Sequence, residues 1–445
     1  MLKLKLLVYL IIGGLVASFI FYDNGIQYNF EVLSLFFLIC SISLIPLVFD
    51  RKSNYLNSSV LFFYVFFFGV APAIQYKQNS LFFGAPIVSN ADYLTSGILI
   101  LGSLICYVAV YYFAKSKNFN LKRGVVKLNE VGQSIKIDSF ILITCFIVGL
   151  VLVLKYSNYE FLWDREAFNI QEISNTEKIK NLLIQILRTV PLTFCFFVWV
   201  KQEYNRKSRS FLVLCILSLL LLFPTSLTRG NVAIYYLPAV ILSLKYFNLE
   251  KWYRLVFIFG VFVLFPLLNF FRRSNNEVFL GLENFTTGHF DAFQNFTLLL
   301  KENIITYGEQ LIGAFMFFVP RTFWAEKPIG TGAMLAEHLG YSWTNIAMPL
   351  IGEGYANFGY VGIFLFVGVL ALINGVLDKM YEHQKMSILI KIAYLYLIGF
   401  EFYLMRGDLM SSFSKLFVIC CTMVITFLLF KIIVSIQQKN KIEHN

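Results

Sequence analysis

The residues with chemistry to offer crowd into one late stretch of the chain. Pro320-Arg321-Thr322-Phe323-Trp324-Ala325-Glu326-Lys327-Pro328 is followed by Glu337-His338-Leu339-Gly340 and then by Gly352-Glu353-Gly354-Tyr355-Ala356-Asn357-Phe358-Gly359. Glu353 stands between two glycines, which permit close approach of backbone or ligand. It opens an apolar run, so it reads either as an acid favoured by a helix N-terminus or as a general base that takes a proton from a hydroxyl. His338 is the second candidate base, with an unperturbed pKa of about 6.5. Glu326, Glu337 and Asp408 are further acids, and Asp291 a weaker one. The histidines His289 and His338 fit no HExxH or related pattern, so no metal is expected. The seven cysteines lie in or beside apolar runs, with no CxxC, which argues against disulfides and zinc. Walker A, GxGxxG and GxSxG patterns are absent, so neither a nucleotide engine nor another cofactor is expected.

A set of arginines falls at the ends of apolar runs: Arg188, Arg229 in Thr228-Arg229-Gly230, Arg272, Arg273, Arg321, and Arg406 in Arg406-Gly407-Asp408. One reading is snorkelling to headgroups. The other is bidentate pairing with phosphate, and several guanidinium groups converging on one pocket would suit a diphosphate. Trp324, Trp343, Tyr341 and Tyr355 fit an interfacial aromatic belt or a platform for sugar rings.

These residues need a scaffold, and composition defines it. The chain is 58% hydrophobic and 14% charged over 445 residues, whereas soluble domains carry about 25% charge. It is therefore a polytopic membrane protein. Runs long enough to cross the hydrocarbon give twelve expected spans, near 5–21, 32–49, 59–76, 93–114, 139–156, 182–200, 210–225, 231–248, 253–271, 350–377, 386–404 and 412–434. Backbone groups in lipid must bond internally, so the spans are helices and the fold all-α. The N-terminal run after Met1-Leu2-Lys3-Leu4-Lys5 is read as a retained helix and not as a signal peptide. The net charge of +11 resides in short loops such as Arg51-Lys52 and Lys201 to Arg209. That pattern is topogenic and excludes a nucleic-acid partner; it places both termini in the cytoplasm. The segment 272–349 then forms one large outer loop between spans in 1–271 and spans in 350–445. Polar and apolar residues from Phe285 to Ile312 alternate at helical spacing, which predicts an amphipathic helix flat on the outer leaflet. Residues 328–332 read as a turn. No internal repeat of the inverted-transporter kind is evident.

The motifs in 320–359 and the Thr228-Arg229-Gly230 turn resemble the oligosaccharide repeat-unit polymerases, the Wzy family of bacterial O-antigen and capsule assembly. The resemblance implies a multi-span glycosyltransferase of the C type in the inner membrane, inverting and metal-independent. Its donor would be a growing glycan on undecaprenyl diphosphate and its acceptor one lipid-linked repeat unit. A membrane-bound chain-length regulator is a further expected partner. The expected catalytic residues are Glu353 and His338. The expected substrate-binding set is Arg229, Arg272, Arg273, Arg321 and Arg406 with Trp324, Lys327, Tyr355, Asn357 and Asp408. The family's Arg-x10-Gly pattern is matched by Arg321 to Gly332 alone among the loop arginines. An O-antigen ligase and a lipid-linked oligosaccharide flippase are the alternatives. A flippase would carry charges inside its spans, short outer loops and two similar halves.

Overall fold

A computed structural model describes residues 2–21, 28–50, 52, 54–117, 144, 146–151, 154, 175–201, 209–264, 267 and 282–443. All regular structure among them is helical. The helices before the late loop are α1 (Leu2–Phe21), α2 (Phe30–Phe49), α3 (Tyr55–Lys77), α4 (Asn90–Ser116), α5 (Asn175–Lys201), α6 (Arg209–Leu221), α7 (Arg229–Tyr246) and α8 (Tyr253–Phe259). In the late loop lie α9 (Ala292–Lys301), α10 (Glu309–Phe315) and α11 (Thr331–His338), followed by α12 (Leu350–Glu382), α13 (Ile388–Arg406) and α14 (Leu409–Glu443). Seven helices among the described residues are long and apolar enough to cross a membrane: 30–49, 55–77, 90–116, 183–201, 350–382, 388–406 and 409–433. The expected spans 139–156 and 253–271 lie largely or partly outside the described residues. The expected span 210–225 holds a helix of only 13 residues.

Helix starts follow local chemistry. Asn29 accepts from the Glu31 and Val32 amides at the head of α2, and Ser89 with Asp92 forms a capping box on α4. Thr228 caps α7 and Ser387 caps α13. Helix α3 is largely apolar and is buried from Tyr55 to Gly69 and from Ala71 to Tyr76, as a helix apolar on most sides must be. Its phenylalanines pack on neighbours, Phe62 stacked on Phe257 and Phe67 tilted against Phe290.

Polar contacts gather at the two ends of the bundle. At one end Lys52 and Lys115 pair with Glu382, and the Arg254 guanidinium donates to the Leu47, Asp50 and Lys52 carbonyls. At the other, Gln75 donates to the Phe285 and Phe290 carbonyls, Gln294 brackets the Phe82 backbone, and Arg406 meets Asp291. The late loop is therefore docked into the end of the bundle.

Two expectations change in shape. The amphipathic stretch 285–312 is divided, because Asn303, Tyr307 and Gly308 adopt positive φ between α9 and α10. Helix α9 is also buried from Ala292 to Leu299 and does not lie on a surface. Its polar side chains have partners inside: Gln294 at Phe82, and Asn295 at Asp291 and the Ala347 carbonyl. The expected span 350–377 is broken at Phe358 and Gly359, whose backbones leave the helical region, Gly359 at φ 61. Gly354 and Gly362 face each other backbone to backbone; a Cβ on Gly354 would stand 2.6 Å from the Gly362 carbonyl carbon. On a straight helix those residues would be about 12 Å apart. Residues 350–357 thus fold back against the start of 360–382, as a short helix hairpinned onto a long one.

Candidate functional site

The glycine-rich motif 352–359 builds the centre of the outer end. Gly352 lets the chain pass Met348, since a Cβ there would meet its Sδ at 2.5 Å. Glu353 is fully buried. Its Oε2 accepts from Thr331 Oγ1 at 2.7 Å and its Oε1 from the Leu409 amide at 3.0 Å. One carboxyl group therefore ties α11, the first limb of α12 and the head of α14 together. Tyr355 donates to Asn303 Oδ1 at 2.8 Å. The Ala356 carbonyl accepts from the Thr306 amide and hydroxyl. Asn357 takes the Leu311 amide at 2.8 Å and gives its own amide to the Glu353 carbonyl. These bonds lash residues 303–311 around the hairpin.

Above this floor sits the cation Arg406, at the end of α13. Its Nη2 is 3.1 Å from Asp291 Oδ1, and its Nε has no partner among the described residues. Asp291 is buried, and its second oxygen accepts from Asn295 and from the Ala347 amide. Asp291 thus fixes one edge of a guanidinium whose side chain is 37% exposed. Asp408 accepts from the Ser411 amide at 2.8 Å and so caps α14. Its carboxylate also presses on Gly330, where a Cβ would stand 2.9 Å from it. The Arg229 turn comes to the same end of α13: a Cβ on Gly230 would meet the Tyr403 ring at 2.7 Å.

The Pro-Arg-x-x-Trp-x-x-Lys-Pro motif folds on itself. Arg321 donates to the carbonyls of Lys327, at 2.6 Å, and Pro328. Lys327 donates to those of Phe317 and Val319 at 2.6 and 3.0 Å. Desolvation, and then the nearby Arg321 charge, push the Lys327 ammonium below its ordinary pKa. Trp324 is half-buried beside the exposed Phe323. Gly332 passes the Ile346 carbonyl, which a Cβ would meet at 2.5 Å, so the Arg321-to-Gly332 spacing coincides with a packing requirement.

His338 ends α11 with an exposed ring, Nε2 3.3 Å from Glu302 Oε2. Thr331 begins the same helix, so His338 stands about 10 Å along it from the Thr331–Glu353 bond. Glu302 is a residue that sequence reasoning missed. Nothing in its spacing marked it, because the pairing runs across 36 positions.

The structure therefore brings together Glu353, Tyr355, Asn357, Arg406 and Asp408, with the Arg229 turn beside them, and places His338 one short helix away. Arg321, Trp324 and Lys327 lie on the loop in front. Arg272 and Arg273 lie outside the described residues. Arg188, in the arginine set by sequence, is buried and donates to Ser226 Oγ and the Leu221 carbonyl, where it closes the end of α6. No group of three or more His, Cys, Asp or Glu able to hold a metal occurs among the described residues. Comparison with protein-family models, curated proteins and solved structures returns no match.

Proposed function

We propose that this protein is an oligosaccharide repeat-unit polymerase: an inverting, metal-independent glycosyltransferase that joins undecaprenyl-diphosphate-linked units at the outer face of a bacterial inner membrane. It would span that membrane twelve times in a C-type arrangement, with both termini cytoplasmic. The observation that carries the reading is Arg406, whose Nη2 is braced by the buried Asp291, whose Nε has no partner among the described residues and whose side chain is 37% exposed, at the rim of the cluster built on Glu353. A guanidinium fixed in orientation can hold the charge that develops on a departing diphosphate. Exposed Phe315, Phe318 and Phe323 lie beside the Arg321 loop, which sets apolar surface for a lipid chain next to cationic groups.

Of the two expected bases, the geometry favours His338. Its ring is open to an acceptor hydroxyl and is oriented by Glu302, as a general base requires. Both oxygens of Glu353 are already engaged inside the protein, so its role in this reading is to hold the floor of the site. The test is polymerisation by purified protein supplied with lipid-linked repeat units. Arg406→Lys keeps the charge and loses the fork, and should lower the rate at least about tenfold, one lost charged hydrogen bond being worth about 1.5–3 kcal/mol. A wild-type rate in that variant removes the diphosphate clamp.

A transporter of the same lipid-linked glycan is the second reading. It is favoured by Asp378, Glu401 and Lys415, which lie within the spans. Formation of longer glycans by the purified protein, without a second compartment, separates the two.

A further inference from the structure

Away from the outer cluster, the bundle interior holds two carboxyl groups that the glycosyl-transfer reading does not use. Asp378 and Glu401 are 2% and 3% exposed, on α12 and α13. Asp378 is fully hydrogen-bonded. Tyr394 and Tyr111 donate to it at 2.6 and 2.9 Å, and the Leu56 and Asn57 amides at 3.3 and 3.2 Å. Four helices thus converge on one carboxylate. It also lines a cavity of about 550 Å³ that holds Lys52, Lys245, Lys251 and Lys391, at the end of the bundle that the lysine and arginine pattern assigns to the cytoplasm.

Glu401 is the contrasting partner. One of its oxygens, Oε2, is buried with no hydrogen-bond partner among the described residues. Its carboxyl contacts the Asn374 amide, and Asn374 donates to Tyr107 at 3.2 Å. Asn374 and Asp378 are four apart on α12, and Tyr107 and Tyr111 four apart on α4, so each pair shares a helix face about 6 Å apart along the axis. The two clusters therefore stack one turn apart, Asp378 at the cavity and Glu401 deeper. A charged carboxylate without a partner is costly in a membrane interior, and the neutral acid much less so. Ionisable groups at such depth pair with one another or line proton and ion paths.

We propose that Glu401 is a proton-binding site in the membrane interior, loaded through Asp378 from the lysine-lined cavity. Uptake adds one proton to the carboxylate and removes its charge. Release to the cavity reverses this, and nothing else is consumed. The groups around the entry are Lys115 from α4, Lys52 before α3, Lys245 from α7, Glu250, Lys251 and Arg254 around the start of α8, Glu382 and Lys379 from α12, and Lys391 from α13. Lys52 and Lys115 are paired with Glu382. Around Glu401 itself, Tyr107 and Asp378 are the titratable neighbours. The site is independent of the polymerase reading, because none of these residues belongs to the outer cluster.

The test uses full-length protein in vesicles of known orientation, with the pH on each face set separately. Dicyclohexylcarbodiimide enters from either side and modifies protonated carboxyls in apolar surroundings; the adduct is read by mass spectrometry. The expected result is an adduct on Glu401 that falls about tenfold for each pH unit above the midpoint of the site, when the pH is raised on the cavity face alone. Glu401→Gln should remove it. In Asp378→Asn, with folding checked by size-exclusion profile, the adduct should stop following the cavity-face pH. An unlabelled Glu401 at every pH, or labelling that follows the opposite face, overturns the proposal with wild-type protein alone. An unchanged response in a folded Asp378→Asn variant overturns the entry route.

Discussion

Replacing Gly354 with alanine tests the hairpin on which the outer cluster rests. A Cβ at 354 would stand 2.6 Å from the Gly362 carbonyl carbon and 2.9 Å from the Ile363 amide nitrogen. Carbon contacts settle near 3.5–4.0 Å, so one limb must retreat by about 1 Å. The obstacle is backbone, which cannot rotate aside as a side chain would. Overpacking of this kind costs about 1–3 kcal/mol, and a backbone obstacle belongs at the upper end. Loss of about 3 kcal/mol lowers the ratio of folded to unfolded protein by about two powers of ten. Gly368→Ala on the second limb is the control, since nothing lies within 4 Å of its Cβ. There alanine should be neutral or stabilise by about 0.5–1 kcal/mol. Denaturant titration of both purified variants in detergent, followed by tryptophan fluorescence, gives the difference. Equal stability of the two variants would refute the hairpin, because on a straight helix the two positions are equivalent.

Thr331→Val removes the donor of the 2.7 Å bond between α11 and α12 and should lose about 1–3 kcal/mol of stability together with polymerisation. Glu353→Gln keeps one acceptor oxygen for the Leu409 amide and can donate its NH2 to the Thr331 hydroxyl, so it should stay close to wild-type stability and polymerise; a folded Glu353→Gln protein that makes no polymer would return Glu353 to the role of base. His338→Ala should slow transfer by about 10²–10⁴-fold at unchanged stability, since the ring is exposed and its hydrogen-bond partner among the described residues is the half-buried Glu302. Glu302→Gln should slow it less and shift the pH profile; wild-type kinetics in both variants would exclude the pair. In a cysteine-free background, Phe323→Cys should react with an impermeant thiol reagent applied outside intact cells, and Gln384→Cys only after the membrane is opened; the reverse pattern would place the outer cluster in the cytoplasm.

What the sequence revealed, and what it hid, follows from the range of the interactions. Span positions depend on local hydropathy, so helices such as 90–116, 388–406 and 409–433 arise where apolar runs of membrane length stand. Cap residues such as Ser89 and Thr228 act within three positions of the chain. The motif 352–359 was visible as unusual but not in its purpose. Its glycines permit a hairpin that only the facing Gly362 explains, and its polar side chains bind residues 303, 311, 331 and 409. A carboxylate between two glycines stands alone in the sequence because its partners, Thr331 and Leu409, are far along the chain. The arginines divide on the same principle. Arg188 and Arg321 share a position near span ends, yet their donors are used on carbonyls and a hydroxyl of the fold, while Arg406 is held by Asp291 from 115 residues away and its Nε has no partner among the described residues. The brace that sets Arg406 apart from the other arginines is invisible until Asp291 is in place. For the same reason Asp378 and Glu401 drew no notice as single acids in apolar runs. Their relation depends on α4, α12 and α13 meeting, which no spacing along one helix encodes.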